Sequence, residues 1–131
     1  MKADPVKLAF ENTFRGELTS PTSTIKIGQQ ELGMKPYHLL FGALASCFYA
    51  TFLSISTKMR LTFDKAEIEV NGEKREETPA TLKHVVMDFV IYGGKDQAKL
   101  RKAAELGATY CSIHETISKV AQIDLNIIFK D

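Results

Sequence analysis

Apolar and polar residues alternate in five stretches of the chain, as they do along strands with one buried face. The first stretch opens the chain, with Val6, Leu8 and Phe10 on one face, and is read as a single β segment that reaches Arg15. The others are a short strand at 24–28, a strand at 66–70 followed by a charged turn or strand extension at 73–78, a strand at 82–92 and a final strand at 123–129. About five strands are therefore expected.

The most apolar part of the chain, from Pro36 to about Met59, predicts a long helix. Pro36 suits its first turn, where the missing N–H costs nothing. The uninterrupted apolar part, Leu39 to Ile55, has 17 residues and is shorter than the ~20 that cross a bilayer, so we expect a helix of the protein interior. Five strands and one further helix barely cover such a helix, which favours a homodimer that packs it across a two-fold axis.

A second helix is expected between Asp96, a good N-cap, and about Tyr110. Its apolar residues form one stripe at spacings of three and four: Leu100, Ala103, Ala104, Gly107 and Cys111. The capping box Ser112-x-x-Glu115 predicts a short third helix that begins with Ser112 as its cap. Together these elements indicate an α+β fold, with residues 1–131 forming a single domain.

Composition narrows the functions that are compatible with this pattern. The chain has 131 residues with 17 Lys and Arg against 16 Asp and Glu, a balance that gives no field to recruit nucleic acid or a membrane surface. Asp4 and Pro5 interrupt the start of the chain, where a signal peptide has an apolar stretch. We therefore expect a cytoplasmic protein whose cysteines are kept reduced.

Two cysteines, Cys47 and Cys111, lie on predicted core-facing helix surfaces and are open to three interpretations. They are small core residues, or a reactive thiol pair, or metal ligands together with His114 in the spacing Cys111-x-x-His114. Cys47 lies eleven residues after Pro36, too far for the helix N-terminus to stabilise a thiolate, so another cation or donor is required. The basic candidates are Arg15, Lys26, His38 and His114.

Two motifs resemble those of the OsmC/Ohr family of thiol proteins. The first is Pro36, Leu39-Leu40 and Ala43-Leu44-Ala45-Ser46-Cys47, and the second is Tyr110-Cys111-Ser112-Ile113. The order of strands and helices around them also agrees with that family. The resemblance implies an OsmC-like fold, in which two long central helices are wrapped by β-sheet in an intertwined homodimer.

The resemblance also implies a chemistry. In the peroxidase members, the residue corresponding to Cys47 attacks an organic hydroperoxide, and that corresponding to Cys111 resolves the sulfenic acid to a disulfide. An external dithiol then reduces the disulfide, with no metal or organic cofactor. Those members carry a glutamate, paired with an arginine, where this chain has Tyr37; Tyr37 and the adjacent His38 are the substrate-binding candidates here. The alternative is a non-catalytic, stress-associated dimer that binds a small apolar ligand and keeps the cysteines as core residues.

Overall fold

The computed structural model describes all 131 residues, which form six strands and three helices. In chain order the elements are β1 (Lys7–Phe10), β2 (Arg15–Thr19), β3 (Thr24–Gly28), α1 (Pro36–Lys58), β4 (Lys65–Lys74), β5 (Leu82–Tyr92), α2 (Gln97–Tyr110), α3 (Ser112–Ser118) and β6 (Gln122–Lys130). The chain divides into two compact units, Met1–Leu40 and Phe41–Asp131, each with most of its contacts within itself.

The first unit contains an antiparallel sheet in the order β1-β2-β3. The expected single β segment that opens the chain is wrong, because the chain reverses after Phe10 and Leu8 pairs with Leu18 across a hairpin. Alternation does not reveal so tight a reversal, since the pattern continues on the far side of the turn. Gly16 permits it: a Cβ there would lie 2.4 Å from the carbonyl oxygen of Ala9. The strand β3 has the bounds expected from the sequence.

The second unit contains the sheet β4-β5-β6, in which β4 and β5 are antiparallel and β5 and β6 parallel. A parallel pair needs a crossover connection, which α2 and α3 supply. The expected apolar face of β5 is confirmed, since its side chains at Val85, Met87, Phe89 and Ile91 are fully buried. The charged residues after Gly72 extend β4 as far as Lys74 rather than forming a turn at once.

Aromatic side chains join α1 to the buried face of this sheet. The ring of Phe89 meets those of Phe48 and Phe52 edge-on, at centroid distances of 5.1 and 4.9 Å. Such pairs add about 0.5–1.5 kcal/mol each to the gain from burial. The apolar stripe predicted for α2 is buried as expected. Gly107 in that stripe brings α2 close to α1, because a Cβ there would lie 3.2 Å from the Cα of Phe52.

Within one chain, α1 is buried along a single stripe, formed by Leu44, Phe48, Phe52 and Ser56. The bounds predicted for this helix are confirmed, and its 23 residues are long and apolar enough to cross a membrane by length and composition alone. Only 22% of the most apolar 18-residue segment of α1 is buried within the chain, and the side chain of Leu53 is 41% exposed. The rest of α1 is either exposed or only partly buried within the chain.

The junction between α2 and α3 corrects one expectation. Asp96 caps α2 as predicted, accepting a hydrogen bond from the amide of Lys99 at 3.1 Å. The third helix exists, but its N-cap is Cys111 and not Ser112. The backbone at Cys111 is extended, so α2 ends and α3 begins there without an intervening loop. This leaves the hydroxyl group of Ser112 available for another contact.

Candidate functional site

The structure brings Cys47 and Cys111, which both lie on predicted core-facing helix surfaces, close enough for each to shift the pKa of the other. Cys47 projects from α1 just before the buried Phe48, and Cys111 occupies the α2–α3 junction. The residue after Cys111, Ser112, has its Oγ 3.9 Å from the Sγ of Cys47, which places the α2–α3 junction beside this part of α1. Cys111 is fully buried within the chain, whereas Cys47 is partly exposed. A molecule arriving from solvent therefore meets Cys47 first and finds Cys111 behind it.

Hydrogen-bond donors from the start of α3 surround the Cys47 sulfur. The Sγ of Cys47 lies 3.9 Å from the Oγ of Ser112. Burial raises the pKa of Cys47, but the amide of Ile113, the thiol of Cys111 and the hydroxyl and amide of Ser112 outweigh it, so the pKa is lowered from its ordinary value. Donors of this kind stabilise a thiolate by hydrogen bonding to its negative charge.

The pKa of Cys111 is shifted in the opposite direction, upward from its ordinary value. Burial raises the pKa of Cys111, and its hydrogen bond to Cys47 and the negative charge of the Cys47 thiolate raise it further, against the backbone amides of His114 and Ile113. Cys111 therefore loses its proton less readily, and Cys47 is the more acidic thiol of the two. The pair can support a nucleophile on Cys47 with a second, protonated thiol in reserve.

The stabilising groups differ from the basic residues suggested by the sequence. None of the groups that lower the pKa of Cys47 is Arg15, Lys26, His38 or His114. Burial lowers the pKa of His114, with partial opposition from Glu115, so its ring is neutral around neutral pH. The sequence did not identify Ser112 and Ile113 as groups near Cys47, because the hydroxyl of Ser112 was assigned to the N-cap of the third helix. The usable signal was their position directly after Cys111 at a predicted helix start, where amides lack intrahelical partners.

The metal interpretation finds no support in the arrangement of side chains. No three His, Cys, Asp or Glu side chains stand close enough together to hold a metal ion. His114 interacts with Cys111 through its backbone amide, at 3.4 Å from the sulfur. The spacing Cys111-x-x-His114 therefore reflects a helix cap.

Tyr37 and His38 lie in the first turn of α1, within the first unit. The Nδ1 of His38 accepts a hydrogen bond from the amide of Lys35 at 3.0 Å, which stabilises the start of the helix. Tyr37 is half-buried. Their part in substrate binding stays a prediction.

An open hollow of about 280 Å³ lies between α1 and β4 in the second unit. Its lining is mainly small and apolar: Gly42, Ala45, Ser46, Tyr49, Ala66 and Ile68. Ser46 immediately precedes Cys47, and its hydroxyl is bonded to the Gly42 carbonyl at 2.7 Å, so it presents little polarity to the hollow. The surface beside this part of α1 can accommodate a small apolar group.

Comparison with known proteins finds chains that are similar to this one in sequence and in structure. The family model of OsmC-like proteins matches residues 28–126. Protein YhfA of Escherichia coli strain K12 is 27% identical over 114 residues, covering 85% of each chain. The crystal structure of an OsmC-like protein from Mycoplasma pneumoniae has a TM-score of 0.87 at 17% identity over 99% of both chains. The organic hydroperoxide resistance protein OhrB of Bacillus subtilis has a TM-score of 0.68 at 17% identity, over 96% of this chain and 98% of its own. These structures share the α+β fold expected from the sequence.

Proposed function

The chain belongs to the family of OsmC-like proteins, and from this premise we propose that it is a thiol-dependent redox protein that reduces organic hydroperoxides. The observation that carries the proposal is the position of the α2–α3 junction, which contains Cys111, beside Cys47, where burial and nearby groups shift the pKa values of the two thiols in opposite directions. The proposal is also supported by the name of a structurally similar protein, OhrB, which is an organic hydroperoxide resistance protein.

The first proposed step takes place at Cys47. Its thiolate attacks the terminal oxygen of a hydroperoxide, ROOH, and the O–O bond breaks as the new S–O bond forms. The sulfur becomes a sulfenic acid, and the departing alkoxide takes a proton and leaves as the alcohol ROH. The groups at the start of α3 favour this step because they lower the pKa of Cys47 and so increase the fraction of thiolate at a given pH.

The second step uses Cys111. Its sulfur displaces hydroxide from the sulfenic acid, so that a Cys47–Cys111 disulfide forms and, with the thiol proton, water leaves. Oxidation of Cys47 removes the negative charge and the hydrogen bond that raise the pKa of Cys111. Cys111 thus becomes easier to deprotonate at the stage when it must act. An external dithiol then reduces the disulfide by thiol–disulfide exchange, which returns the two electrons. The proposed cycle needs no metal or organic cofactor.

Substrates with an apolar substituent are favoured over hydrogen peroxide in this proposal. The hollow beside α1 and the uncovered apolar face of the helix offer area on which an alkyl or aryl group can be buried. Each Å² removed from water contributes about 25 cal/mol. We assign Tyr37, which stands where the peroxidase members have their glutamate, and the adjacent His38 to the binding of the peroxide group.

A homodimer in the cytoplasm is part of the proposal. The uncovered side of α1 is supporting evidence, because a helix of this length and apolarity needs cover from another surface. A second copy supplies that cover with the same face and closes the assembly with two-fold symmetry. We therefore assign α1 to a protein interior shared by two chains and not to a membrane.

The test is peroxide consumption coupled to a dithiol, measured for wild type and for Cys47→Ser and Cys111→Ser. Wild type is expected to turn over with cumene hydroperoxide, Cys47→Ser to lose turnover, and Cys111→Ser to stop after one oxidation for each site unless a small thiol is added. Wild type no faster than Cys47→Ser with several organic hydroperoxides would refute the enzyme. The alternative, a dimer that binds a small apolar ligand without catalysis, would then replace it.

A further inference from the structure

We propose that Ser112 is a positioning residue whose hydroxyl group donates a hydrogen bond to the Cys47 thiolate, a role that a basic side chain could otherwise fill. The proposal deepens the proposed function, since it rests on Cys47 being the reactive thiol. It concerns a residue that the sequence had assigned to helix capping alone.

The hydroxyl of Ser112 differs from its neighbours in what it contacts. Its Oγ lies 3.9 Å from the Sγ of Cys47 and is free for this contact because Cys111 provides the cap of α3. The other nearby hydroxyl groups are bonded to helix carbonyls instead: Ser46 to Gly42, Thr51 to Cys47, Thr116 to Ser112 and Ser118 to Glu115. Ser112 is thus the hydroxyl side chain that is directed at the sulfur.

The direction of this hydrogen bond depends on the state of the sulfur. Either atom can donate when Cys47 is a thiol, but a thiolate only accepts. A donor that bonds more strongly to the charged form than to the neutral form favours the charged form. The hydroxyl acts together with the amides of Ser112 and Ile113 and the thiol of Cys111, and the same groups lower the pKa of Cys47 against the effect of burial. Unlike the amides, the hydroxyl can be removed by substitution.

A neutral donor has a chemical advantage at this position. A strongly depressed thiol pKa makes the thiolate a weaker nucleophile, and the best attacking thiol has a pKa near the ambient pH. A hydroxyl group at 3.9 Å, in a partly exposed site, stabilises the thiolate without the large effect of a buried cation. Ser112 therefore adjusts the acidity of Cys47 moderately, alongside the backbone donors.

The test is the pH profile of Cys47 alkylation by iodoacetamide in the reduced full-length protein, followed by mass spectrometry of the Cys47 peptide. Ser112→Ala is expected to slow alkylation about two- to fivefold at neutral pH, as loss of one partly exposed hydrogen bond to a charge implies. The rates of variant and wild type should converge at high pH, where both are fully thiolate. Ser112→Thr restores the hydroxyl and should follow wild type. Ser118→Ala is the matched control on the same helix and should leave the profile unchanged.

Three results would overturn the proposal. An unchanged Ser112→Ala profile would show that the hydroxyl has no effect, and faster alkylation would show that Cys47 donates to Ser112. An equal change at every pH would indicate a purely structural role. Ser112→Gly provides a second variant without the hydroxyl should Ser112→Ala fail to fold. Because iodoacetamide replaces the peroxide, a wild type inert to hydroperoxides would refute the proposed function while the profile still decides the role of Ser112.

Discussion

The Sγ of Cys111 accepts a hydrogen bond from the backbone amide of His114 at 3.4 Å, so a thiol serves as the N-cap of α3. The same sulfur interacts with Cys47. Cys111 is therefore tied both to the integrity of a helix and to the candidate redox chemistry. Substitutions at this position separate the two roles, because serine retains a cap acceptor and alanine does not.

Cys111→Ala is expected to destabilise the reduced protein by about 1–2 kcal/mol, since the amide of His114 loses its partner and a buried sulfur is removed. Cys111→Ser keeps an oxygen acceptor and should lose less. Urea unfolding under reducing conditions measures both. Equal stability of the two variants, or a more stable alanine variant, would show that the sulfur does not act as a cap.

The two thiols are expected to differ in their response to pH. The lowered pKa of Cys47 places its thiolate at lower pH than an ordinary thiol, and the raised pKa of buried Cys111 places its thiolate at higher pH. As pH rises from 6 to 10, alkylation of the folded protein should therefore begin at Cys47, and Cys111 should react mainly after unfolding. Peptide mapping after timed alkylation gives both rates. Faster reaction of Cys111 at any pH in this range would contradict the assignment of roles.

The sequence predicted the elements of the second unit well because their patterns are local. The alternation in β5 and the stripe on α2 each follow from one buried face, and both are confirmed. The hairpin between β1 and β2 was missed because the turn preserves the alternation. The candidate site was likewise predicted only in part. The sequence identified the two cysteines, but it did not identify the groups of Ser112 and Ile113 that lower the pKa of Cys47. Which groups face Cys47 depends on how the α2–α3 junction packs beside α1, and no spacing along the chain contains that information.

Gly107→Ala tests the close approach of α2 to α1. The new Cβ would lie 3.2 Å from backbone and Cβ atoms of Phe52, which cannot move without shifting the helix. We expect a loss of about 1–3 kcal/mol from overpacking, reduced by alanine's helix propensity. Glu105→Ala on the exposed side of α2 should change stability by less than about 0.5 kcal/mol. Thermal or urea unfolding of both variants provides the comparison, and a stabilised Gly107→Ala protein would contradict this packing.

Association through α1 makes a separate prediction. Leu53 is 41% exposed on α1, and Leu53→Glu should weaken the proposed dimer because it places a charge on the apolar contact. Val120→Glu introduces the same charge at a residue that is 51% exposed after α3 and should leave association unchanged. Light scattering at micromolar concentration distinguishes the dimer from the 14.6 kDa chain. A monomeric wild type with cooperative unfolding would refute the dimer.

The proposed mechanism requires a disulfide between Cys47 and Cys111, which mass spectrometry of the intact and digested protein can detect. The reduced protein is treated with one equivalent of cumene hydroperoxide and then with a thiol-blocking reagent. We expect the wild type to lose two hydrogen atoms and to yield one cross-linked peptide pair containing Cys47 and Cys111, whereas Cys111→Ser should gain one oxygen on Cys47. Recovery of both cysteines as blocked, unoxidised thiols in the wild type, or a disulfide that joins other partners, would contradict the proposed mechanism.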